Sequence, residues 1–221
     1  MRGTWRVAAL LPLFLVALAT VPFHASGQEA APKAALPVLT TSAGQSADVN
    51  TVNAIMEQAG IKYDYCDVPT AAMLKSGVGL GGAKAKPGFH IESTTDLAKF
   101  KAGTPYRTVV FALGASLKGM GASGLTVETE VRRVTDLIQY CKQHKIFIVA
   151  VHAGGQSKRG APGSDNEKMI DAVAPFADYI LVAKDGNKDG RFTKIGQDKG
   201  IPVSQVDYAL GMVGLITRLF E

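Results

Sequence analysis

The chain is poor in the features that most quickly place a protein. Two cysteines in 221 residues, Cys66 and Cys141, exclude a disulfide-stapled scaffold. No apolar run reaches 18 residues, which excludes a multi-pass membrane protein. No Lys/Arg run with interleaved aromatics occurs, so the formal net charge of +5 does not indicate a nucleic-acid partner. The closest basic pair, Arg132-Arg133, follows Glu128 and Glu130 on an expected helix. There Glu128 and Arg132 stand four apart, as an ion pair on a solvated face. Cofactor fingerprints are also missing. The G-x-x-x-x-G-K-[ST] spacing does not occur, and the turn from Ser42 to Ala47 holds one glycine where a dinucleotide site needs three. No cofactor is expected. What remains is 47% hydrophobic residues in a length suited to one domain of about 150 residues, or one domain with a tail.

The N-terminus reads as an address. Arg2 and Arg6 precede an uncharged stretch from Val7 to Val21, Pro22 ends it, and Ala25-Ser26-Gly27 offers small residues for cleavage before Gln28. Residues 1–27 are therefore expected to be a signal peptide and 28–36 a flexible tether. Export to the periplasm or the medium follows, with no membrane association after cleavage. Loss of the two arginines leaves 22 basic against 19 acidic residues, a mild net +3.

From 37 onward, strand and helix patterns alternate. Val109–Leu113, Ile146–Val151 and Tyr179–Ala183 are continuous apolar runs, the mark of strands buried on both faces of a parallel sheet. Pro37–Thr41 and Ile61–Val68 complete five strands. Helical stripes lie between them, over 47–59, 126–144 and 164–176. Ser164 and Glu167 are spaced as a capping box. Ser204 and Asp207 open an expected last helix, whose Leu215, Ile216, Leu219 and Phe220 offer an apolar face to a second copy. The pattern predicts a single-domain doubly wound α/β fold, Rossmann-like, with five mainly parallel strands in flavodoxin-like order and helices on both faces. The protein is then a monomer or a weak homodimer. Residues 69–105 fit least well. They read either as a lid or as an irregular loop without a role, with a helix opening near Thr94-Thr95-Asp96.

In such a sheet, ligands bind outside the carboxyl ends of the strands. The first strand empties into Ser42, Gly44, Gln45 and Ser46, and the second into Cys66 and Asp67. The third leads to a glycine-rich stretch with Ser116, Lys118 and Gly119, read as an anion cradle before a long helix. The fourth ends in His152, Gly155 and Arg159, and the fifth in Asp185-Gly-Asn187-Lys-Asp189-Gly190. That last segment matches half of a calcium loop, but position twelve is Gly196, so no metal is expected. A Ser–His–Asp triad drawn from Ser42 or Ser116, His152 and Asp185 lacks the G-x-S-x-G elbow, because Lys118 occupies the second glycine's place.

Thr41–Ser46, Gly114–Gly124, His152–Gly160 and Lys184–Phe192 together resemble a family of exported bacterial proteins known only as a domain of unknown function. The resemblance covers nearly all of 37–221 and implies an exported bacterial protein, without supplying a reaction. The residues themselves predict an extracytoplasmic binder of a small phosphate- or carboxylate-bearing molecule. Lys118, His152 and Arg159 neutralise the anion, and Ser42, Gly44, Gln45, Ser46, Ser116, Gly119 and Gly155 complete the site. A hydrolase or lyase with His152 as base and Asp185 orienting it is the alternative, and a protein-interaction domain is the third reading.

Overall fold

The computed structural model describes residues 32–221. The signal peptide expected over 1–27 lies outside them, as does the start of the tether. The tether's described end is fastened: the Ala34 N–H donates to the Leu219 carbonyl at 2.8 Å and the Ala35 N–H to Thr108 Oγ1 at 3.2 Å. The folded body thus begins three residues before the expected position 37, because Ala34 and Leu36 find apolar partners.

In chain order the elements are β1 (Val38–Ala43), α1 (Asp48–Gln58), β2 (Asp64–Cys66), α2 (Ala71–Lys75), β3 (Ile91–Ser93), β4 (Thr108–Leu113), α3 (Leu117–Ala122) and α4 (Val127–Gln143). They continue with β5 (Phe147–His152), α5 (Asp165–Val173), β6 (Tyr179–Ala183), α6 (Arg191–Lys199), β7 (Val203–Val206) and α7 (Val213–Phe220). One seven-stranded sheet runs β3-β2-β1-β4-β5-β6-β7, parallel except for β3. The fold is α/β as expected, but with seven strands rather than five. Every residue of β1, β4 and β6 is buried. Each fully buried Leu, Ile or Phe side chain contributes about 1.5–3 kcal/mol relative to exposure, which is what continuous apolar strands supply.

Alternate side chains feed two cores. Val38, Val110, Val149 and Leu181 pack under α1 and α7. Leu39, Phe111, Ile148 and Ile180 pack under α4, α5 and α6 on the other face. The chain leaves β1 through α1 on one face and leaves β4 through α3 and α4 on the other. The two connections diverge, and a crevice opens above the ends of β1 and β4.

The two unforeseen strands have different causes. β7 is a half-buried edge strand whose polar Ser204 and Gln205 sit between two valines, so it lacks the apolar signature of the central strands. Residues assigned to the start of the last helix therefore belong to a strand. The helix begins at Val213 after a short 3-10 turn over Ala209–Met212. Its Ile216 and Leu219 are buried against the sheet, with Leu215 and Phe220 packed beside them, so the face expected for a second copy is occupied by the core.

β3 comes from the 69–105 connection, and a buried carboxylate organises it. Asp64 accepts from the Gly79 N–H at 2.8 Å and from the Ser93 and Tyr106 hydroxyls. Burial and this bond push the Tyr106 phenol well above its usual range. Residues 94–100 form a turn in which Asp96 Oδ1 accepts from the Ala98 N–H, not the opening of a helix.

Both cysteines are free and buried. No helix among the described residues is long and apolar enough to cross a membrane.

Candidate functional site

The crevice at the strand-order reversal holds about 630 Å³. Ser42, Gln45, Ser46 and the first turn of α1 form its floor and one side. Ser116, Lys118 and Gly119 of α3 form the opposite side, and Tyr65, Asp67, Gly88, His90 and Glu92 close one end. Six of the expected ligand residues belong here, and Gly44 lies directly beneath.

A buried ion pair on α4 sets the shape of this site. Glu130 is fully buried and Arg133 is 8% exposed. Glu130 Oε1 accepts from the Gly44 N–H at 2.8 Å, Gln45 Nε2 at 3.2 Å and Arg133 Nη2 at 2.7 Å. Arg133 Nη2 donates to the Ser42 carbonyl at 2.7 Å, and Nη1 to the Pro69 carbonyl at 3.4 Å. Gln45 Nε2 also donates to the Asp67 carbonyl at 2.8 Å, tying the ends of β1 and β2 together. Gly44 sits at φ +104°, where an added Cβ would lie 2.4 Å from the Gly114 carbonyl oxygen, so no other residue fits this turn. The expected exposed pair Glu128–Arg132 gives way to Glu130–Arg133. The buried stripe of α4 runs through 130, 133, 134, 137, 138 and 141, which turns those two charges inward.

The glycine-rich stretch after β4 is a short helix rather than an open cradle. Ser116 caps it, its hydroxyl accepting from the Gly119 N–H at 3.1 Å. Gly119 lies against the Gln45 carbonyl, 2.2 Å from an ideal Cβ. Across the crevice, Ser46 Oγ donates to Asp48 Oδ2 at 2.7 Å at the start of α1, where a carboxylate suits the helix dipole.

The 69–105 connection supplies the end wall. A tight turn pairs Lys86 with Phe89 and brings Gly88 over the end of α3. At φ +74°, Gly88 would place a Cβ 2.2 Å from the Ala122 carbonyl oxygen. Beyond it, Asp67 Oδ1 accepts from the His90 backbone N–H at 2.9 Å and Oδ2 from His90 Nδ1 at 2.8 Å. The Asp67 side chain is 7% exposed and that of His90 72%. Tyr65, on the same wall, has its phenol pushed up by burial and by Asp67.

His152, Gly155, Arg159 and Asp185 lie beyond the crevice, at the ends of β5 and β6. His152 is fully buried, its ring 5.0 Å from that of Phe192. Nε2 donates to the Lys158 carbonyl at 3.2 Å, while Nδ1 has no partner and sits beneath Gly186. Burial lowers its pKa, and Arg159 adds to the effect, against an opposing pull from the Lys158 carbonyl. Arg159 Nε donates to Glu167 at 2.7 Å, Nη2 to Asp189 at 2.7 Å and Nη1 to the Gly186 carbonyl. Arg159 in turn holds the Asp189 carboxyl down at about 2. Glu167 is thus drawn to Arg159, and no capping box forms with Ser164, whose hydroxyl stays unpartnered. Asp185 accepts from the Gln156 N–H at 3.2 Å and packs on Gly155, which has φ +57°. Asn187 Oδ1 accepts from the Phe192 N–H, which fastens the start of α6 to this turn.

Residues 35–220 match a family model described as Domain of unknown function (DUF6305). The chain belongs to this family. The match agrees with the family type that the four motifs indicated. No curated protein matches the chain. Among solved structures, a pyridoxal kinase from Entamoeba histolytica matches at 13% identity and a TM-score of 0.36, over 78% of this chain and 62% of the kinase. The chain therefore spans about 62% of the kinase's length, and a likeness of that degree carries nothing about activity.

In this DUF6305 domain, sequence reasoning missed Asp67's partner His90 and the Glu130–Arg133 pair. The pair had a signal: positions 130, 134, 137, 138 and 141 share one helical face. His90 had none, lying in a segment with no readable period.

Two outcomes test this arrangement. Glu130→Ala should cost about 3–5 kcal/mol in urea unfolding by stranding Arg133, and adding Arg133→Met should recover more than half of that loss. His152 is favoured neutral in the fold, so its contribution is present above the unfolded-state value of about 6.5 and is lost as pH falls below it. Stability should drop as pH falls below about 6.5, by at most about 1.4 kcal/mol per pH unit, and His152→Gln should flatten that slope.

Proposed function

We propose that this protein binds, outside the cytoplasm, a small molecule carrying one carboxylate or phosphate group in the crevice between β1 and β4. The observation that carries this reading is the combination on its walls of the Lys118 ammonium and the Ser42 hydroxyl, which is 1% exposed and has no partner among the described residues. A buried hydroxyl left unpaired costs about 1–3 kcal/mol, and a ligand oxygen would satisfy it. The reading is narrower than three clustered cations would give, since Arg159 and His152 are engaged elsewhere. Among the described residues Lys118 is the one lysine or arginine lining the crevice, and Asp67 and Glu92 stand on its end wall. A ligand with its negative charge confined to the Lys118 end, and a neutral body toward Tyr65 and Ile91, fits this distribution.

The setting supports the same reading. The parallel strands, taken in chain order, run 2-1-3-4-5-6, a flavodoxin-like succession whose ligands lie at the first reversal. The signal-peptide pattern of residues 1–27 supports export to the periplasm or medium. Native mass spectrometry of the chain purified gently from its own host should show an excess mass that disappears in Lys118→Glu. A bare protein mass, or an excess mass that Lys118→Glu leaves in place, contradicts the reading.

A further inference from the structure

We infer that the crevice is also hydrolytic, with His90 as the general base and an ester bearing a free carboxylate as substrate. The inference rests on the binding reading above and adds a reaction to it.

Asp67 and His90 already hold their two backbone segments together without the ring. The Asp67 N–H donates to the His90 carbonyl at 3.2 Å, and Asp67 Oδ1 accepts the His90 backbone N–H. The further bond from Nδ1 to Asp67 Oδ2 at 2.8 Å therefore does little for the strand pairing, but it fixes the imidazole. A carboxylate only accepts, so Nδ1 carries the hydrogen and Nε2 keeps its lone pair. The result is a nearly buried carboxylate orienting an exposed imidazole at the crevice wall, the relation by which a base is held in one tautomer. The Ser42 hydroxyl supplies an uncommitted donor on the same crevice, suited to a developing oxyanion. Lys118 supplies the anchor for a remote carboxylate. Cys66 is no competing nucleophile, because burial pushes its thiol up to about 12.

The step balances with water as the only co-reactant. His90 Nε2 takes one proton from water as the water oxygen bonds to the acyl carbon, and the carbonyl π pair moves onto oxygen beside Ser42. The tetrahedral adduct collapses, the acyl C–O bond breaks, and the leaving oxygen takes the proton from Nε2. The products are an alcohol and an acid, which ionises to solvent. Asp67 acts through His90 and is a positioning residue.

The test uses the full chain with mono(4-nitrophenyl) succinate as probe and neutral 4-nitrophenyl acetate for comparison. Saturable release of nitrophenol from the succinate ester is expected, with kcat falling about 100-fold or more in His90→Gln while KM holds. Asp67→Asn should lower kcat about tenfold while KM holds, because the imidazole loses the carboxylate that fixes its tautomer, and Asp67→Glu should restore part of that loss. Lys118→Ala should raise KM for the succinate ester. Hydrolysis that His90→Gln does not reduce, or no hydrolysis at all, overturns the proposal. If the purified chain still retains an anionic ligand in that case, the binding reading stands and only the reaction falls; if it retains none, both fall.

Discussion

The arrangement of the crevice depends on one buried ion pair. Glu130 and Arg133 sit three residues apart on α4, yet between them they hold the Ser42 carbonyl, the Gly44 N–H, the Gln45 amide and the Pro69 carbonyl. Two buried charges are costly to desolvate, and hydrophobic residues of similar volume would serve stability as well or better. What the pair supplies is direction. It holds the chain leaving β1 in a left-handed turn at Gly44 and Gln45 and keeps Gln45 against the end of β2. The floor and the end wall of the crevice are therefore fixed from behind, by groups that no ligand touches.

The carboxyl edge of the sheet divides into two parts with opposite character. Around β5 and β6, the charged side chains are paired within the protein and little is open: Arg159 bridges Glu167 and Asp189, Asp185 receives the Gln156 amide, and His152, its Nδ1 unpartnered among the described residues, is covered by Phe192 and Gly186. Around β1, β2 and β4 an open crevice remains, lined by Lys118 and His90 and by Ser42, whose buried hydroxyl has no partner among the described residues. Charge at a strand end is thus a weak guide to function until its partners are known. The same residue types serve as a latch on one half of the edge and line an open crevice on the other.

This division explains what could be read in the sequence. Continuous apolar runs at β4, β5 and β6 made the parallel α/β sheet legible, since strands covered on both faces carry that pattern. The same rule was blind to β7, whose Ser204 and Gln205 face a thinner layer, and to β3, which exists because Asp64 gathers Gly79, Ser93 and Tyr106 around one carboxylate. Strand-end logic found Ser42, Gln45, Ser46, Ser116, Lys118 and Gly119 correctly as neighbours. It also brought in His152 and Arg159, because sequence shows which residues end a strand but not which carboxylates lie within reach. His90 stayed hidden for the converse reason: its partner Asp67 lies 23 positions away, joined only by the antiparallel return of β3.

The most direct measurement is a crystal structure of the chain with the ligand it retains on purification. The ligand is expected in the crevice between β1 and β4, with an anionic oxygen about 2.7–3.2 Å from Lys118 Nζ and a second oxygen within the same range of Ser42 Oγ. Density at the His152–Asp185 end of the sheet, with the crevice empty, would contradict it.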